Sequence, residues 1–140
     1  MHKEYFEGIL QLRNPTDEIT NFIMDEMRRR PDVLITKQKK VGDGFDLFFT
    51  NQHFLQSLGK QLHTKFFGDL KVSKKLYTRN RQTSRETFRV TVFFRHYPYN
   101  VGGIFMIRGE KYKIMNAGKK ITAKNMDTGK NLFLRYEDLK

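Results

Sequence analysis

The chain has 140 residues, no cysteine, and 27 Lys plus Arg against 15 Asp plus Glu, a formal net charge of +12. Its 38% hydrophobic content, with 13 phenylalanines, is enough to build one ordinary core or two small ones. The missing thiols exclude disulfides, thiolate zinc sites and a cysteine nucleophile, and no apolar run reaches the ~20 residues of a membrane span.

Residues Tyr5 to Arg13 alternate as a strand, with Phe6, Leu10 and Leu12 expected on one face and Glu7, Gln11 and Arg13 on the other. Asn14 then offers a helix cap, Pro15 suits the first helical position, and Asp17 and Glu18 suit the positive end of the helix dipole. Ile19, Phe22, Ile23 and Met27 follow at helical spacing until Arg28-Arg29-Arg30 and Pro31 close the segment. Val33 to Val41 and Phe45 to Phe49 read as a hairpin turning at Gly42-Asp43-Gly44. Thr50 or Asn51 caps a second helix with Phe54, Leu55, Leu58, Leu62 and Phe66 on one stripe, ended by Gly68. Leu70 to Tyr77 and Phe88 to Arg95 are strands again, the latter with Phe88, Val90, Val92 and Phe94 expected inward.

This order predicts an α+β fold: a ferredoxin-like, split βαβ domain over residues 1–97 with one added strand at an edge. From Tyr97-Pro98-Tyr99 onward glycine punctuates every turn and no helix is expected. Ile104 to Ile107, Lys111 to Met115, Ile121 to Asn125 and Asn131 to Arg135 read as strands, with Asp127-Thr128-Gly129-Lys130 as a hairpin turn. Residues 98–140 are therefore expected to form a small all-β, SH3-like barrel closing near Tyr136 to Leu139.

The residues give no constellation for catalysis. His53 and His63, ten apart on one helix, lie about 80° out of phase and do not chelate one metal as an i, i+4 pair would. Asp43 and Asp46 flank Gly44 without the spacing of a calcium loop, and no Walker loop, dinucleotide fingerprint or nucleophile elbow occurs. The expectation is a protein without a reaction, a metal or a cofactor.

The charge is concentrated instead. Lys71, Lys74, Lys75, Arg79, Arg81, Arg85 and Arg89 face one acid, Glu86, so half of the net charge falls within nineteen residues. Asn80-Arg81-Gln82-Thr83-Ser84 would join two strands, putting the arginines on a hairpin that contacts phosphates or an RNA groove, with Tyr77 and Phe93 as stacking candidates. The plainer reading is a solvated edge hairpin protected by lysine, but seven cations exceed that need. Arg108, Lys111, Lys113, Lys119, Lys120 and Lys124 form a second basic set, of which Lys111, Lys119 and Lys120 are the leading candidates. No RNP motif, GXXG clamp or zinc knuckle supports base-specific readout.

Tyr5 with Glu7-Gly8-Ile9-Leu10-Gln11-Leu12-Arg13, Asp43-Gly44-Phe45-Asp46-Leu47-Phe48-Phe49, Ser73-Lys74-Lys75-Leu76 and Arg89-Val90-Thr91-Val92 resemble the nonsense-mediated-decay-three family. That family comprises the eukaryotic adaptors for nuclear export of the large ribosomal subunit and their archaeal relatives. The resemblance runs through residues 5–95, and the segment after Tyr99 is similar to the family's barrel, which is related to translation factor five A. It implies docking on the large subunit near its tRNA exit region in late maturation, with basic surfaces against ribosomal RNA and ribosomal proteins. Family members carry a cysteine-rich zinc region before this domain, and eukaryotic members carry transport signals after it. The expectation is therefore a fragment or a minimal relative, soluble and cytoplasmic, for which an archaeal source fits. A protein–protein interaction module, a generic basic RNA-binding protein, and a free-standing RNA-modification factor or RNA enzyme subunit are the alternatives, the last requiring polar or acidic residues converging in a pocket that the sequence does not announce.

Overall fold

Alternation of small and apolar residues in Gly8–Arg13 makes strand β1, which buries Gly8, Leu10 and Leu12 and turns Ile9, Gln11 and Arg13 to the other side. The computed structural model describes residues 5–80 and 85–139, the side chains of residues 77–80 and 85–87 lying outside that description. After β1 the chain bends at Asn14, whose φ of 51° is a conformation that Asn tolerates better than most residues. This corrects the expected cap, because an N-cap needs extended backbone. Thr16 provides it, and its Oγ1 accepts the Ile19 N–H at 3.3 Å to open helix α1 (Asp17–Arg29). Pro15 accordingly precedes the cap instead of starting the helix. Asp17 and Glu18 in the first turn and Arg28 and Arg29 in the last complement the dipole.

Strands β2 (Ile35–Val41) and β3 (Gly44–Phe49) form an antiparallel hairpin whose turn places Gly42 at φ 54°. Gly44 runs so close to β1 that a Cβ there would collide with the Leu12 carbonyl oxygen. Asn51 Oδ1 accepts the Phe54 N–H at 3.0 Å and caps helix α2 (Gln52–Lys65), which buries Phe54, Leu55, Leu58 and Leu62. Strands β4 (Gly68–Asn80) and β5 (Arg85–His96) follow.

These five strands form one sheet in the order β2-β3-β1-β5-β4, with β1 antiparallel to β3 and parallel to β5. The expected extra strand is present, but β5 lies inside the sheet and β4 takes the edge. The cause is apolar content. Val90, Val92 and Phe94 are fully buried, whereas every residue from Lys71 to Leu76 is exposed. Phe88, expected inward, is 38% exposed, because the buried run of β5 begins only at Val90. Ile19 and Ile23 of α1 and Leu55, Leu58 and Leu62 of α2 share one core with Leu10, Leu12, Leu47, Phe49 and the buried residues of β5. Both helices thus cover the same side of the sheet.

Contacts divide the chain into two compact units, the first running to Phe66 and resuming over Leu70–His96, the second made of Phe67–Asp69 and Tyr97–Lys140. Within the second unit β6 (Ile104–Ile107), β7 (Glu110–Ala117), β8 (Ile121–Asn125) and β9 (Asn131–Leu134) form an antiparallel sheet in chain order. Phe105, Ile114, Ile121, Ala123 and Leu134 build its core, together with Tyr136 and Leu139. Where no helix was expected, Tyr136–Leu139 is a short 3₁₀ helix, since i, i+3 spacing sets Tyr136 and Leu139 on one side and buries both. The Tyr136 hydroxyl donates to the Gly118 carbonyl at 2.7 Å. Burial, followed by the nearby Asp69 charge, pushes its pKa up to about 12. At the β8–β9 connection Asn125 Oδ1 accepts from Asp127 N–H and Thr128 N–H at 2.8 and 3.0 Å, and Gly129 takes φ 74°. Among the described residues no helix is long and apolar enough to cross a membrane.

Candidate nucleic-acid interface

The side of the five-stranded sheet opposite the helices follows from strand pairing. Ile9 opposes Phe48 and Thr91, Gln11 opposes Asp46 and Phe93, and Arg13 opposes Arg95. On β2, Lys37 opposes Phe48 and Lys39 opposes Asp46, so both lysines share this side. On β4, Lys71 Nζ stands 5.8 Å from the Phe93 ring centroid, which sets Lys71 here as well, and alternation adds Ser73 and Lys75. Leu70 instead packs against the helix-side core, so Lys74 projects from the helix side of the edge strand. The helix-free face therefore carries lysines at both of its edges.

Its aromatic rings sit beneath cations. Lys37 and Lys39 place their ammonium groups 5.6 and 5.9 Å from the Phe48 centroid, and Phe48 meets Phe6 edge to face at 4.9 Å. Phe6 thereby packs on the helix-free side, not with Leu10 and Leu12 as its spacing had suggested. Where Phe93 was a stacking candidate, it lies half-buried under Lys71.

The arginines of this face are engaged internally. Arg13 Nη1 lies 2.9 Å from Asp46 Oδ1 and donates to the Leu12 and Phe45 carbonyls at 3.1 and 3.2 Å. Arg95 pairs with Asp43 at 3.1 Å, and Asp43 also accepts the Asn14 N–H. Both aspartates of the Gly44 region thus hold the turn and the sheet together. Arg89 stacks on Phe6 and donates to its carbonyl. Among the described residues of β1, β2, β3 and β5 the carboxylate on this face is Asp46, and Arg13 neutralises it, so the lysines and Arg89 set a positive outward field.

Of the residues singled out from sequence, the fold brings Lys71 and Lys75 together and turns Lys74 away. Arg79 and Arg85 lie in β4 and β5 with side chains outside the description, and Arg81 and Tyr77's side chain fall outside it too. In the second unit Lys111 pairs across from Met106, and Lys113 stands opposite Lys124. Lys119 and Lys120 are exposed at the β7–β8 turn and are not part of that lysine row. A groove of about 480 Å³ beside the row is lined by Lys113, Met115, Lys124, Met126 and Thr128. The sequence reading passed over Lys37 and Lys39 as site residues. Their signal was the alternation Lys37-Gln38-Lys39 in a strand of a hairpin, which sends both lysines to one side.

No curated protein matches this chain. The family model described as NMD3, second domain, matches residues 5–95, which takes in β1 to β5 and both helices. That match spans well over half of the sequence, and the chain belongs to the NMD3 family.

Proposed function

We propose that the chain is a non-catalytic module that binds the large ribosomal subunit in late maturation, as an export-adaptor-type factor, with ribosomal RNA as its main contact. The observation that carries this reading is the helix-free sheet face, where Lys37, Lys39, Lys71 and Lys75 lie exposed around an internally neutralised Arg13–Asp46 pair. Family membership supports the large subunit as partner, and the face offers a surface suited to phosphates. At the level of fold, the βαββαββ order supports a ferredoxin-like core with a strand inserted between β1 and β4, and the β6–β9 meander supports an SH3-like unit.

The test is equilibrium binding to purified large subunits over a salt series, comparing the chain with the variant in which Lys37, Lys39, Lys71 and Lys75 are changed to Ala. Each phosphate contact contributes about 0.7 to 0.9 to the slope of log K against log salt, so the variant's slope becomes shallower by about 3. An unchanged slope overturns the reading of this face. A protein contact is the second reading, favoured by one feature of the other unit: Ile104, Met106 and Phe133 are 57%, 59% and 69% exposed.

A further inference from the structure

The two lysine pairs of the helix-free face sit on opposite edges of the sheet, β2 and β4, with three strands between them. At the usual spacing of neighbouring strands the two edges are about 19 Å apart. Along β2, Lys37 and Lys39 are about 7 Å apart, and along β4, Lys71 and Lys75 are about 13 Å apart. Between these rows lie Ile9, Gln11, Thr91, the Arg13–Asp46 and Arg95–Asp43 pairs, and Arg89, whose guanidinium is stacked on Phe6.

A surface that tracks a single strand needs one continuous cationic groove with rings open for base stacking. Here the cations form two separated rows, and the rings of Phe48 and Phe93 are already capped by lysine. Two rows flanking a polar strip whose arginines are held within the fold match two phosphate strands flanking one groove. The minor groove of an RNA double helix is wide and shallow enough for a sheet face to lie on, and it displays 2′-hydroxyls. The Gln11 amide and the Thr91 hydroxyl stand where those hydroxyls would be met.

We infer that this face binds double-helical RNA across its minor groove, Lys37 and Lys39 on one phosphate strand and Lys71 and Lys75 on the other. The inference rests on the RNA-contact reading above and specifies its ligand. The full chain is titrated, at fixed low salt, with an RNA duplex of about 20 base pairs, one of its strands alone, and a DNA duplex of the same sequence. Variants are Lys37→Ala with Lys39→Ala, Lys71→Ala with Lys75→Ala, and Lys40→Ala with Lys74→Ala, two exposed lysines off this face that serve as a charge-matched control.

The expected result is that RNA duplex binds about tenfold more tightly than single strand or DNA duplex. Each row variant then loses about tenfold on the RNA duplex, and the control loses much less. Single strand or DNA bound as tightly as RNA duplex, or a control variant that loses as much as either row, overturns the duplex inference while leaving RNA contact standing. Binding to none of the three nucleic acids overturns the RNA-contact reading itself.

Discussion

The Arg89 guanidinium lies 3.7 Å from the centroid of the Phe6 ring, and its Nε donates to the Phe6 carbonyl at 3.2 Å, so one side chain pins the segment ahead of β1 onto β5. The same segment is held by Glu7, whose N–H donates to the Phe49 carbonyl and whose carbonyl accepts the Val90 N–H. Arg89 therefore closes a three-strand junction.

Arg89→Ala removes a stacked cation and a charge-assisted hydrogen bond, and it lowers stability by about 1–2 kcal/mol. Arg89→Lys keeps part of the stacking and recovers less than half of the loss, because the ammonium group lacks the planar fork. Denaturant unfolding measures both values, and hydrogen exchange at the Val90 amide rises in the Ala variant. A variant with wild-type stability and a large loss of RNA affinity would make Arg89 a phosphate ligand instead of a clamp.

The Arg13–Asp46 pair is shielded, with side-chain exposures of 13% and 18%. Asp46→Ala leaves the Arg13 charge without its partner in a partly buried setting and costs about 3 kcal/mol. Arg13→Met combined with Asp46→Leu removes both charges and recovers most of that cost. The check is a double-mutant cycle by chemical denaturation, in which additive single costs would show the pair to be uncoupled.

Burial holds the His96 pKa below its ordinary range, against the opposing influence of the Asn14 backbone and the Glu18 carboxylate. A depressed histidine favours its neutral form in the folded state. The unfolded chain takes up the proton first, so stability present above about pH 6.5 is lost as pH falls below it. His96→Gln flattens the fall in melting temperature between about pH 7.5 and about pH 5.5 relative to the parent chain. The imidazole's chemical-shift titration shows a midpoint lower than that of a free histidine, and a midpoint at or above the free value would contradict the burial account.

Much of the first unit was legible because its signals are local. Asn51 and the Phe54-Leu55-Leu58-Leu62 stripe mark α2, and Gly42-Asp43-Gly44 marks the hairpin. What failed depended on tertiary placement. Asn14 has the right chemistry for a cap, but its hydrogen bonds to Asp43 and to the His96 carbonyl hold it in a turn. Phe88 alternates in phase with Val90, yet nothing in its spacing says where the covered part of β5 begins.

The site was legible as charge but not as a surface. Lys71, Lys74 and Lys75 are neighbours in sequence, and strand alternation sends Lys74 to the other side of β4. Lys37 and Lys39 lie over thirty residues earlier and join the same face only through the order β2-β3-β1-β5-β4. Arg13, Arg89 and Arg95 show the converse, since cations that look available in sequence are committed to Asp46, Phe6 and Asp43.

Preference for the large ribosomal subunit is tested directly by co-sedimentation of the chain with an equimolar mixture of purified large and small subunits at moderate salt. The expected result is that the chain travels with the large subunit and that excess small subunit does not displace it. Equal partition between the two subunits would contradict the account and reduce the chain to a basic protein attracted to any ribosomal RNA.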